Sequence, residues 1–124
     1  ALASRRFEVT LSGPGGHSWS DHGTANPVHA LSRMLHFFTE AQYEAAVPHG
    51  VRSSYNFGII DGGVSINSIP TQARAKLDLR SEDPRRIDDM ARDFTEAVEQ
   101  AIEIENERAN SGRLQAKLRE IGAR

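Results

Sequence analysis

Arg5-Arg6-Phe7-Glu8-Val9-Thr10-Leu11 runs through Ser12 into Gly13-Pro14-Gly15-Gly16-His17-Ser18. In the first half apolar and polar residues alternate. Phe7, Val9 and Leu11 fall on one face and Arg6, Glu8 and Thr10 on the other, the period of a strand buried on one side. In the second half, three glycines and a proline surround a single imidazole. Glycine takes backbone angles closed to other residues, so the strand ends in a sharp turn where other atoms can approach the main chain. Holding a fold together does not require a histidine at such a tip. A lone loop histidine is most often just solvated. Here a second loop of similar construction, Asp61-Gly62-Gly63 followed by residues 64–70, is the reason to read His17 as presented to a site elsewhere.

Outward from this stretch, Asn26-Pro27 is a helix start: asparagine accepts a hydrogen bond as the cap, and proline is tolerated at the first helical position. Val28, Leu31, Leu35 and Phe38 recur at helical spacing, which predicts a helix to about Tyr43. Pro48, His49 and Gly50 mark residues 44–52 as a connection. Residues 53–60 predict a second strand with Tyr55, Phe57 and Ile59 on one face. Residues 72–80 predict a third, with Ala73, Ala75, Leu77 and Leu79 facing in and Arg74, Lys76, Asp78 and Arg80 facing out. Asp83-Pro84 repeats the cap-plus-proline start. Ile87, Met90, Ala91, Phe94, Val98, Ala101 and Ile102 then form the cleanest amphipathic stripe in the chain, ending near Asn110. Leu114, Ala116 and Leu118 alternate as a last strand.

The order strand, helix, strand, strand, helix, strand predicts one α+β domain over residues 1–124. Its architecture is ferredoxin-like, βαββαβ, with a four-stranded antiparallel sheet and two helices on one face. The sheet order should be last, first, third, second. The first two strands are then parallel, so the His17 and Asn67 loops should be neighbours at one end of the sheet. Arg80, closing the third strand, should lie at the other end. Two polar loops at one end and an arginine at the other suit a domain that bridges two sites better than one self-contained active site.

Gly16-His17-Ser18-Trp19-Ser20 is one residue from a nucleophile elbow, but Ser20 stands where the turn needs glycine. A phosphate loop would need Gly-Lys-Ser/Thr, which is absent. His17, Asp21 and His22 could suit zinc, yet they share one loop with nothing placed to complete the shell. An RNA-recognition module of this topology needs aromatics on the exposed sheet face, where Arg74, Lys76, Asp78 and Arg80 stand. The formal net charge of −2 gives no reason to expect a nucleic-acid partner, and no apolar run is long enough for a transmembrane helix, so no membrane partner is expected. With no cysteine, a disulfide framework and a thiolate site are excluded. Nothing marks a compartment, and the cytoplasm is the default expectation.

Gly15-Gly16-His17-Ser18 after a first strand, then Asn67-Ser68-Ile69-Pro70, then Leu77-Asp78-Leu79-Arg80, in this order, resembles one family. It is the dimerisation, or lid, domain of the co-catalytic zinc aminoacylase, carboxypeptidase-G and succinyl-diaminopimelate desuccinylase superfamily. The resemblance implies a longer enzyme whose other domain holds two zinc ions and a glutamate base. These 124 residues would be its lid, inactive alone and with no metal or cofactor of their own. It implies a homodimer through the second strand and first helix, acting on a peptide or N-acyl amino acid. It also implies roles. His17 would reach the partner's site and stabilise an oxyanion, Asn67 would bind substrate from the same side, and Arg80 would bind the substrate carboxylate in its own subunit. The alternative from another class is a stand-alone ferredoxin-like module that binds a small regulatory ligand. Flanking segments rich in His, Asp and Glu would distinguish the first from the second.

Overall fold

Both central strands set their buried apolar residues on one face. In β1 (Ala3–Ser12) Val9 and Leu11 are fully enclosed, and in β5 (Gln72–Ser81) so are Ala73, Ala75, Leu77 and Leu79. The two pair antiparallel with Phe7 opposite Leu77 and Val9 opposite Ala75, which puts their apolar residues on one face. β3 (Ser53–Gly62) flanks β5 and β6 (Gln115–Ala123) flanks β1, so the sheet order is β3-β5-β1-β6, antiparallel throughout. A separate two-stranded ribbon joins β2 (Gly16–His17) to β4 (Ser68–Ile69). The structure, a computed structural model, describes residues 2–47 and 49–123. Pro48, within the connection expected over 44–52, lies outside the described residues.

Two helices cover one face. α1 (Pro27–Glu44) begins where Asn26 Oδ1 accepts hydrogen bonds from the amides of Val28 (2.9 Å) and His29 (3.3 Å). α2 (Pro84–Arg108) begins in the same way, with the Asp83 carboxylate accepting from the Arg85 amide. Leu31, Met34 and Phe38 of α1 and Ile87, Met90, Phe94, Val98 and Ala101 of α2 close the core against the sheet. Phe38 meets Tyr55 and Phe57 edge-on at 5.3 and 5.4 Å, so α1 lies over β3. Phe94 approaches Phe7 at 5.9 Å, which sets α2 over β1. These are the offset and edge-to-face geometries that aromatic quadrupoles favour.

The α+β sandwich, the element order and the strand order agree with the expectation from periodicity. Three details differ. Ile59 does not continue the inward face of Tyr55 and Phe57. A bulge at Gly58 shifts the register, so Ile59 stands opposite Lys76 and Ile60 opposite Ala75. The extra residue turns Ile59 to the outward face, where it is 49% exposed. Glu8, expected on a solvated face, is only 9% exposed. Arg119 donates to it at 3.0 Å, and Lys76 and Arg74 lie at 3.7 and 3.8 Å. Finally β6 starts at Gln115 rather than Leu114 and continues to Ala123, while Leu114 stays buried as a core residue just before it.

Candidate functional site

The glycine turn after β1 is anchored before it reaches His17. The Gly13 amide donates to Thr71 O at 2.9 Å, tying the turn to the start of β5. Gly15 has φ 73°, a left-handed conformation, and a Cβ there would lie 2.6 Å from the Thr71 methyl. A side chain there would be strained. The turn then pairs with the second loop: Gly16 opposes Ile69, His17 opposes Ser68, and the Ser18 amide donates to Asn67 O at 2.9 Å. His17 and Asn67 therefore sit on one ribbon, at the end where β1 and β3 finish.

Both side chains are exposed. The His17 ring does not pack beneath the helices. Its Nδ1 accepts hydrogen bonds from the backbone amides of Trp19 (3.1 Å) and Ser20 (3.4 Å). The His17 amide itself donates to Asp21 Oδ2 at 2.7 Å. Asn67 accepts from the Ser65 hydroxyl at 3.1 Å, and that hydroxyl shares a 2.8 Å hydrogen bond with Ser68. Among the described residues the Asn67 amide nitrogen has no hydrogen-bond partner, so two donors remain for something else. Beside them Val64 and Ile66 are almost wholly solvent-exposed. A hollow of about 720 Å³ lies behind the ribbon between Ser18, Ile66, His29 and Arg108, and neither His17 nor Asn67 lines it. The two polar side chains stand on a projection, not in a cleft.

Arg80 lies at the other end. It stands opposite Ser4 and Ser54, at the starts of β1 and β3. Eight residues of strand separate Ser4 from Ser12, so roughly 25–30 Å of sheet lies between the two ends. Asp78 Oδ2 accepts from Arg80 Nε at 2.9 Å, and Asp78 Oδ1 accepts from Arg6 Nε at 2.8 Å. Partial burial alone would raise the Asp78 carboxyl, but these two guanidinium hydrogen bonds outweigh it and hold the group below its usual range. An ionised Asp78 thus fixes the inner edge of the Arg80 fork. Among the described residues the terminal nitrogens of Arg80 make no hydrogen bond. They open on a groove of about 440 Å³ bordered by Leu2, Arg52, Ser53, Ser54 and Glu82.

Among the described residues there is no group of three or more His, Asp or Glu side chains able to hold a metal ion. Zinc therefore does not fit this set of residues: the Asp21 carboxylate and His17 Nδ1 are both occupied by backbone amides. No described helix is long and apolar enough to cross a membrane. Asp21, weighed in the sequence as a zinc ligand and set aside, is a turn-former, its carboxylate accepting from the His17 amide. Its signal was available, since aspartate in a glycine-rich turn typically accepts from a nearby amide.

Comparison with known proteins places the fold. The family description "Peptidase dimerisation domain" matches residues 3–106. Succinyl-diaminopimelate desuccinylase of Paracoccus denitrificans is 31% identical over 90 residues, 72% of this chain and 24% of that protein. The Granulibacter bethesdensis protein of the same name is 33% identical over 85 residues, 68% of this chain and 22% of its own length. The chain thus spans about a quarter of the length of these relatives. An aminobenzoyl-glutamate utilization protein from Klebsiella pneumoniae superposes with TM-score 0.80 at 22% identity, over 98% of this chain and 28% of that one. An amidase of the hydantoinase/carbamoylase family from Burkholderia multivorans superposes with TM-score 0.81 at 17% identity, over 99% and 28%. With the match over residues 3–106 and the ferredoxin-like sheet together, the chain belongs to the peptidase dimerisation domain family.

Proposed function

We propose that this domain is the dimerisation and lid part of a zinc-dependent hydrolase that cleaves an amide bond in a peptide or N-acyl amino acid. The zinc ions and the general base belong to a part of the protein outside these residues. In this reading His17 donates a hydrogen bond to the oxygen on which charge develops in the partner's site, Asn67 binds substrate beside it, and Arg80 binds a substrate carboxylate in its own subunit. The observation that carries the reading is the separation of the two groups. His17 and Asn67 share one ribbon, while Arg80 stands at the far end of the sheet, its terminal nitrogens without a hydrogen-bond partner among the described residues. One active site cannot use both ends of one domain, whereas two sites in a homodimer can. A planar guanidinium with free terminal nitrogens suits a carboxylate. The relatives named as desuccinylases and the neighbour named as an amidase support an amide substrate.

Dimerisation is assigned to β3 and α1. β3 is an edge strand with a polar stretch at Ser53-Ser54 and exposed Tyr55, Ile59 and Ile60, and its one charged residue is Asp61. The opposite edge, β6, carries Lys117, Arg119 and Glu120, the charges that keep an edge from pairing. In the full-length protein, His17→Ala should lower kcat by about 10²–10³ with zinc content unchanged, the loss typical of one oxyanion donor. Mixing this variant with a zinc-site variant should restore activity through heterodimers. Undiminished turnover in His17→Ala removes the role; absence of complementation removes its action across subunits.

A further inference from the structure

We propose that Asp21 is a positioning residue for His17, and that the turn it closes holds the neutral imidazole in the tautomer protonated at Nε2. This deepens the reading of His17 as a hydrogen-bond donor and rests on it. The turn is closed reciprocally: the His17 amide donates to Asp21 Oδ2 at 2.7 Å, and the Asp21 amide donates to His17 O at 2.9 Å. Thr24 locks the far side, donating to Asp21 O from its hydroxyl at 2.8 Å and its amide at 3.1 Å. The carboxylate lies against Gly16, where a Cβ would come within 2.8 Å of Asp21 Cβ. Closing the turn brings the amides of Trp19 and Ser20 to His17 Nδ1 at 3.1 and 3.4 Å.

Two N–H groups aimed at Nδ1 require a lone pair there, so the ring proton resides on Nε2. Among the described residues Nε2 has no partner. The ring is then restricted to one task. It can donate outward to an oxygen that is gaining charge, but in this state it offers no lone pair at Nε2 to take a proton or bind a metal. Asp21 never touches the substrate; it acts by keeping the amides of Trp19 and Ser20 on Nδ1.

The test uses the full-length protein labelled with 15N at histidine, at about pH 8.5, above the ordinary imidazole range. The His17 signals are identified by their loss in His17→Ala. One-bond couplings should show the proton on Nε2; a proton on Nδ1, or an even mixture, overturns the proposal without any variant having to fold. Asp21→Ala should mix the tautomers and lower kcat by about ten- to a hundredfold with KM little changed, the scale of a misplaced catalytic group. Asp21→Asn, whose amide oxygen still accepts from the His17 amide, should keep the Nε2–H form and most of the turnover. Equal loss in both variants, or an unchanged tautomer in Asp21→Ala, also overturns it. Loss of the tautomer in Asp21→Ala alongside full activity of His17→Ala would leave the clamp standing and remove only the catalytic role of the ring.

Discussion

Asp78 shows how single residues on the open sheet face are held. Its carboxylate bridges Arg6 and Arg80, and those hydrogen bonds keep it ionised below the usual range despite partial burial. Because its proton affinity is lower in the folded state than in the unfolded chain, the unfolded state takes up more protons as the solution is acidified. The stability Asp78 contributes is complete above the ordinary aspartate range and is lost as pH falls through about 4 and below. Glu120 adds in the same direction, since Arg5 donates to both its oxygens and lowers its carboxyl. The unfolding free energy, measured by urea titration across this range, should therefore drop on acidification, and drop less steeply in Asp78→Asn. A slope equal to wild type would show that Asp78 does not carry the dependence. The same residue aligns Arg80, so its loss should also loosen the groove that Arg80 borders.

Among the elements, α1 carries the centre of the aromatic cluster. Asn26 and Pro27 start it, and residues at helical spacing bring Phe38 under the sheet. There its ring meets Tyr55, Phe57 and Phe94 at 5.3, 5.4 and 6.2 Å, joining β3, α1 and α2 in one aromatic cluster. Phe38→Ala should cost about 3–5 kcal/mol, the loss of burial plus the cavity left behind, read as a lower urea midpoint with an unchanged slope. A loss below about 1 kcal/mol would mean that the cluster collapses around the gap. β3 is the element where periodicity misled. Up to Phe57 its alternation is faithful, and beyond it Gly58 adds a residue and turns Ile59 outward. Nothing in the pattern 53–60 separates a glycine in step from a glycine that adds a step. Only pairing with Leu77, Lys76 and Ala75 of β5 decides between them.

For the whole molecule, the two edges of the sheet are unequal, and the proposed dimer would use β3. β3 offers Tyr55, Ile59 and Ile60 with little charge, and β6 is guarded by Lys117, Arg119 and Glu120. Ile60→Lys should shift the full-length protein from dimer to monomer in sedimentation velocity, whereas Ile121→Lys on β6 should leave it dimeric. An equal response at both edges, or none at Ile60, takes β3 out of the interface.

The amino-acid order alone determined the four main strands, the two helices, the apolar stripes of those helices and the sheet order. Those follow from local periodicity, caps and turn residues, each set by neighbours within a few positions. It also determined that His17 and Asn67 fall at one end and Arg80 at the other, because strand direction follows from topology. The tertiary structure decided the outward turn of Ile59, the enclosure of Glu8 by Arg74, Lys76 and Arg119, and the hold of the 17–24 turn on the His17 ring. Each of these depends on the register between distant strands or on the direction of individual N–H groups, and neither quantity leaves a period in the sequence.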